Sequence, residues 1–311
     1  MTVDRAPKTV EIVEVSPRDG LQAHPTLMPT AWKVELIRRI ETSGLRRAEV
    51  VSFVNPNRVP QMRDAEAVAS ATASFHKLTR IGLVLNARGL DRALESAVDE
   101  INFAIPASET FCRRNQGMSV GEAVATWSAI AARARAAGLP ASVTISAAFG
   151  CPFEGDLDHG AVLDLIYRVA DAGPIEIALA DTIGAAVPSM VSEMVGEAST
   201  KTGMKLRCHL HDTRNTGVAN AVAALDAGAE ALDASLGGLG GCPFAPGATG
   251  NVATEDLVWC LERMGYNTGV NLESALDTVA WMKGSLDAVV GGAVARAGAF
   301  PGRRLRETTA N

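Results

Sequence analysis

The chain has few aromatic residues. Four Trp, two Tyr and eight Phe make up 5% of 311 residues, which suits tightly packed helix–sheet layers better than an aromatic-rich binding surface. Positive charge is not in excess either: 29 Lys and Arg against 35 Asp and Glu leave a formal net charge of −6, and nucleic-acid binders usually carry a basic field. A nucleic-acid partner is therefore not expected. No stretch approaches about 20 uninterrupted apolar residues, and the start, Met1 to Lys8, holds Asp4, Arg5 and Lys8 without an apolar core. Neither membrane insertion nor secretion is expected. The five cysteines, at 112, 151, 208, 242 and 260, are odd in number and without CxxC spacing, which fits reduced thiols in the cytoplasm better than a disulfide framework.

What is present is 47% hydrophobic residues, rich in Ala and Gly, in a length that two average domains or one parallel β/α barrel could fill. Short β-branched runs at 10–15, 47–51, 81–85, 100–104, 142–147, 174–180, 205–210 and 231–235 read as strands. Between them lie amphipathic helical stretches such as 30–43, 120–137, 162–172, 188–202 and 213–227, closed by Gly44, Gly138, Gly173, Gly203 and Gly228. Eight βα units with no Gly/Ser/Pro-rich or charged spacer predict a single α/β domain spanning 1–311. It is a (β/α)8 TIM barrel over about 9–266 with a C-terminal helical extension over 267–311. The extension, helical over 272–290 and then basic over 296–306, is expected to pack over one end of the barrel.

Active groups of such barrels gather where strands end, and four of those segments are unusually polar. After the first strand comes Ser16-Pro17-Arg18-Asp19-Gly20-Leu21-Gln22, in which Arg18–Asp19 reads either as a structural ion pair or as chemistry. The seventh strand ends in His209-Leu210-His211, and the strand period of two sends both imidazoles to one face with Cα atoms roughly 6–7 Å apart, so a metal ion can sit between them. Asp212 reads first as a cap of the following helix. The run 237–251 is too glycine-rich for a packed element. It lacks the Lys and Ser/Thr of a phosphate loop and reads better as a lid carrying Cys242, while Asn251 fits either a ligand or a helix cap before Thr254.

Six segments in order, Glu14 to Gln22, Ser52-Phe53-Val54-Asn55-Pro56 with Val59-Pro60-Gln61-Met62, Gly150 to Gly155, Asp181-Thr182-Ile183-Gly184, His209 to Thr213, and Gly238 to Asp256, resemble the hydroxymethylglutaryl-CoA lyase family. The likeness runs from about residue 10 to 270. It implies Mg²⁺ or Mn²⁺ bound by Asp19, His209, His211 and Asn251, a set that suits such an ion. It further implies Arg18 at the thioester carbonyl, Cys242 as a mobile-loop thiol, Glu49 as a supporting carboxylate, and His209 and Asp19 near the proton transfer. Gln22, Ser52, Asp181 and Arg214 are the substrate-side candidates, and a homodimer is the expected assembly.

The implied reaction is retro-Claisen cleavage of 3-hydroxy-3-methylglutaryl-CoA, or a close 3-hydroxy-3-alkylacyl-CoA, to acetyl-CoA and a keto acid. The chain departs from the family pattern at Ser16, Ala178, Ala180 and Arg214-Asn215-Thr216, all near strand ends, which points to an altered acyl pocket. The tail residues Arg303, Arg304 and Arg306 fit either a solvated tail or CoA phosphates. The alternatives are a Claisen-condensing synthase of the isopropylmalate or citramalate type, a pyruvate-forming aldolase, and a non-catalytic barrel. The synthases usually carry Gly-Glu-Arg-x-Gly-Asn where this chain has 241–251, and the non-catalytic barrel would lack a ligand that is here intact.

Overall fold

A computed structural model describes residues 8–241, 250–286 and 291–298; the tail arginines Arg303, Arg304 and Arg306 lie outside them. Eight strands follow in chain order: β1 (Glu11–Glu14), β2 (Arg47–Ser52), β3 (Thr79–Val84), β4 (Glu100–Pro106), β5 (Ala141–Ser146), β6 (Ile177–Asp181), β7 (Leu206–Leu210) and β8 (Ala231–Ala234). Each pairs in parallel with the next, and β8 closes on β1 with Ile12 opposite Leu232 and Val13 opposite Asp233. The chain is a (β/α)8 barrel, and all eight expected strands lie within three residues of their predicted starts and ends.

Strand alternation divides the barrel into two chemistries. Ala48, Ile101, Phe103, Val143, Ile145, Ile177, Leu179, Leu206, Cys208 and Leu232 are buried in the continuous apolar core. Most positions between them are polar and meet inside the barrel, with Val13, Ile81 and Ala178 as apolar residues in the same inward register. Asn102 Nδ2 donates to Glu49 Oε1 at 3.1 Å and to Thr144 Oγ1 at 2.9 Å, and Ser142 Oγ donates to Glu100 at 2.7 Å. Deeper in, Arg47 lies 2.9 Å from each of Glu11, Glu100 and Glu176. Arg207 lies 3.2 Å from Glu176 and 3.1 Å from Asp233. Burial alone would raise the Glu176 carboxyl, but Arg207, Arg47 and Lys205 outweigh it and hold the pKa down to about 2. Removing one partner from such a buried set costs about 3–5 kcal/mol, because the other charge is left uncompensated.

Two expected elements differ in detail. The helix predicted from residue 213 begins at Gly217 (Gly217–Asp226), because Asp212 Oδ1 accepts the Gly217 N–H at 2.7 Å and the chain turns between them, with Asn215 at φ 56°. Asp212 thus caps this helix from five residues away. Among the described residues of the extension, the helix Leu272–Lys283 packs on the flank of the barrel against Thr30–Thr42, where Trp32 and Trp281 stack at 4.6 Å and Arg39 lies over the Trp281 ring. Residues 291–298 return to the rim where strands end, Gly292 N–H reaching Glu255 Oε1 at 2.7 Å.

Glu14, at the end of β1, is fully buried and accepts hydrogen bonds from Ser16 N, Leu236 N and Thr254 Oγ1, so one carboxyl ties together the start of one polar loop and both ends of the other. Burial dominates these donors and pushes its pKa from 4.5 up to about 7. The folded state then holds this proton more tightly than the unfolded chain. Its stabilising contribution is full below about pH 4.5 and is lost as pH rises to about 7. Chemical denaturation of Glu14→Gln at a series of pH values should show a stability curve flatter by on the order of 2–3 kcal/mol across that interval; an unchanged slope would place the proton elsewhere.

Candidate active site

Directly after β1, residues Ser16–Gly20 form one wide helical turn started by Pro17, with the Gly20 N–H reaching back to Val15 O at 3.2 Å. The turn delivers Arg18 and Asp19 to the mouth of the barrel. Arg18 Nε donates to Glu49 Oε2 at 2.6 Å and Nη1 donates to Asp19 Oδ1 at 2.7 Å, so the guanidinium is clamped between carboxylates from two loop-and-strand segments. Glu49 is itself fixed by Asn102 of β4. Burial opposes charge on Asp19, yet Arg18, His209 and His211 outweigh it and hold its pKa at about 2.

At the end of β7, His209 and His211 face the same space, with ring centroids 5.2 Å apart. His209 Nδ1 lies 3.0 Å from Asp233 Oδ2, which leaves Nε2 for the cavity. Burial lowers the His209 pKa, but the Asp233 hydrogen bond and the charge of Asp19 outweigh it, so the net shift is upward. Burial and the neighbouring His209 push His211 down to about 4. Ligand atoms of Asp19, His209 and His211 all lie within 4.8 Å of one another. Asn251 donates Nδ2 to Asp19 Oδ2 at 2.8 Å and to Leu239 O at 3.1 Å, while its buried Oδ1 has no partner. The helix that follows begins at Thr254, and Asn251 makes no cap to it.

One carboxylate, two imidazoles and an unpartnered amide oxygen form a donor set that fits a divalent cation. A second trio, His159, Glu193 and Glu197, meets the same distance condition on the outer helices, where it is partly exposed.

A cavity of about 460 Å³ opens at this mouth and is lined by Arg18, Asp19, Gln22, His209, His211 and Asp233 among others. Gly241, the last described residue before Cys242, also lines it; Cys242 itself lies outside the described residues. Of the substrate-side candidates only Gln22 lines the cavity, with its Oε1 buried and unpartnered. Ser52, the last residue of β2, is fully buried and does not line it. Asp181 has the strand parity of Ile177 and Leu179, which face the outer core, and its carboxylate accepts the Ala185 and Ala186 N–H groups at 2.8 and 3.0 Å. Arg214 donates to Ile183 O and Gly184 O at 3.0 and 2.7 Å. These three residues shape the surroundings of the cavity rather than its wall. Sequence reasoning gave no site role to Asp233, Asn102, Thr144, Arg58 or Gln61, which do line it, although Gln61 stands in one of the segments that carry the family resemblance. For Asp233 a signal existed: a carboxylate at an inward position of the strand beside His209.

The HMGL-like family profile matches residues 9–281. The chain belongs to the HMGL-like family. Membership makes it a carbon–carbon lyase of a metal-dependent family. A hydroxymethylglutaryl-CoA lyase of Bacillus subtilis is 40% identical over 278 residues, covering 89% of this chain and 93% of the relative. An (R)-citramalyl-CoA lyase of Chloroflexus aurantiacus is 38% identical over 302 residues, covering 94% and 95%. Among solved structures, an HMG-CoA lyase of Acinetobacter baumannii in complex with coenzyme A and 3-methylmalate superposes with a TM-score of 0.89 at 36% identity, covering 94% of this HMGL-like chain and 97% of that one.

If the trio at the mouth holds the cation, Asp19→Asn and His211→Ala should each weaken Mn²⁺ binding to the metal-free protein by more than about 100-fold in calorimetric titration, since even supporting residues are worth about 10–100-fold. Binding as tight as wild type in either variant would remove that residue from the set.

Proposed function

We propose that the chain cleaves 3-hydroxy-3-methylglutaryl-CoA, or a close 3-hydroxy-3-alkylacyl-CoA, into acetyl-CoA and acetoacetate or the matching keto acid. The observation that carries the reading is the clamped guanidinium of Arg18 on the same cavity wall as the His209–His211 pair. A divalent cation held by Asp19, His209, His211 and Asn251 Oδ1 would supply Lewis-acid polarisation of the 3-hydroxyl and lower its pKa.

Cleavage requires that the hydroxyl proton leave, that the C2–C3 bond break with its electron pair staying on C2, and that the resulting enolate be protonated at C2. The candidate acceptors for the hydroxyl proton are Asp19 and His209, and each would also be a ligand of the cation, which lowers its basicity. His209, with Asp233 on Nδ1 and Nε2 turned to the cation, would keep no lone pair for the proton, which leaves a carboxylate oxygen of Asp19. Arg18 is fixed by Glu49 and Asp19 before any substrate arrives. It offers preorganised donors to the thioester oxygen as negative charge develops there. Cys242, one residue beyond the cavity-lining Gly241, is the acid for C2. The same reading gives a cytoplasmic homodimer, supported by the unpaired thiols and by the family resemblance.

A second acid deserves weight, because the citramalyl-CoA lyase is nearly as similar as the hydroxymethylglutaryl-CoA lyase and covers more of the chain. Citramalyl-CoA undergoes the same bond cleavage but yields pyruvate. Incubation with Mg²⁺ or Mn²⁺ and a panel of 3-hydroxy-3-alkylacyl-CoA thioesters, with mass detection of products, should release acetyl-CoA together with acetoacetate or pyruvate. Failure to cleave any member would overturn the reading. Arg18→Gln should lower kcat by roughly 10²–10³-fold or more while sparing Mn²⁺ binding, and Cys242→Ala should remove most turnover with the cation still bound; near-normal turnover in either variant would strip that residue of its role.

A further inference from the structure

We infer that Arg207 is a positioning residue for His209: acting through Asp233, it fixes the orientation and tautomer of the imidazole so that Nε2 is the nitrogen presented to the cavity. The inference rests on the reading of Asp19, His209 and His211 as a cation site.

The link is short and made on strands rather than loops. His209 and Arg207 occupy successive inward positions of β7, and Asp233 lies opposite His209 on β8. Asp233 Oδ2 is 3.0 Å from His209 Nδ1, and Oδ1 accepts from Arg207 Nη1 at 3.1 Å. A carboxylate oxygen against Nδ1 calls for the proton on that nitrogen, which leaves the Nε2 lone pair free. The carboxylate torsion of aspartate is intrinsically broad. With one oxygen on His209 and the other on Arg207, the Asp233 plane has little freedom to turn.

Arg207 is in turn held from below. Its Nε is 3.2 Å from Glu176 Oε1, Glu176 is 2.9 Å from Arg47, and Arg47 is 2.9 Å from Glu100. The chain of alternating charge therefore runs from the base of the barrel to the nitrogen that faces away from the cavity. Arg207 is 1% exposed, and its Nε and Nη2 have no acceptor in hydrogen-bond geometry. A buried guanidinium with unused donors is a poor device for stability alone. Its one well-made hydrogen bond goes to the carboxylate that holds His209. Asp233 and His209 line the cavity and Arg207 does not, so any effect on the reaction has to pass through Asp233.

The test uses the full chain with Arg207→Gln, Arg207→Lys, Asp233→Asn and the Arg207→Gln/Asp233→Asn double variant. Histidine ¹⁵N NMR of the metal-free protein, with His209 assigned by His209→Asn, should show the Nδ1–H tautomer in the wild type and a mixture in Arg207→Gln. Calorimetry should show Mn²⁺ bound about 10-fold more weakly by Arg207→Gln, and kcat should fall with little change in KM. In the Asp233→Asn background, Arg207→Gln should cost little more. Arg207→Lys, which keeps the charge beside Glu176 with fewer donors, should fall between, and it decides the matter by the same readouts if Arg207→Gln does not fold. A wild-type tautomer in the folded Arg207 variants, or fully additive losses in the double variant, would overturn the inference. If instead His211→Ala leaves Mn²⁺ binding intact, the cation reading fails, and the tautomer measured without metal still tests the Arg207–Asp233–His209 link.

Discussion

The alternation of charge inside the barrel is the constraint on which the rest depends. Glu100, Arg47, Glu176, Arg207, Asp233 and His209 follow one another by contacts of about 3 Å, all on inward positions of strands except Glu176, which stands just before β6. In most barrels of this type the interior is filled by branched apolar side chains. Here most of the apolar mass lies between strands and helices, and the interior holds a polar column, beside a few apolar residues such as Val13 and Ile81, whose upper end is the mouth. A polar column permits no neutral vacancy, because each charge is the compensation of the next. The site is consequently not an attachment to a finished scaffold. It is the top layer of the same lattice that fills the barrel.

That layer combines two kinds of support. Arg18 and Asp19 arrive on a loop and need a second strand, through Glu49 and Asn102, to hold them still. His209 and His211 arrive at the end of a strand, and Asp233 sets the His209 ring. The two halves meet where Asp19 comes within ligand distance of both imidazoles, and Asn251 joins them from the far side of the glycine-rich loop. Chemistry that must polarise one oxygen and stabilise charge on another benefits from this division, since the guanidinium and the imidazoles are held independently.

The barrel and the two His positions were legible in the sequence for a simple reason: both are local periodic signals. Alternation of two within 205–210 predicts where His209 and His211 point, and glycine stops mark the helix ends. Parity also explains what failed. Asp181 belongs to a motif at the end of β6, but it shares its face with Ile177 and Leu179 while Ala180 lines the cavity, so motif membership located the strand end and not the side-chain direction. Arg214 lies beyond a strand, where no period applies, and its guanidinium closes on the carbonyls of Ile183 and Gly184. The interior charges were invisible as a set, because Arg47 and Glu176 are 129 positions apart and only barrel closure brings them together.

The extension gives the barrel a second seam. Hydrogen bonds between β1 and β8 close the inner cylinder. Outside it, Val10 N–H bonds Asn267 O and Asn271 N–H bonds Ser43 O near the base, while Trp32 and Trp281 stack higher on the flank. The early and late parts of the chain are thereby laced together at three points. Chain ends are ordinarily where amide exchange is fastest. Among the described residues, the amides along the β1–β8 seam should be among the slowest to exchange.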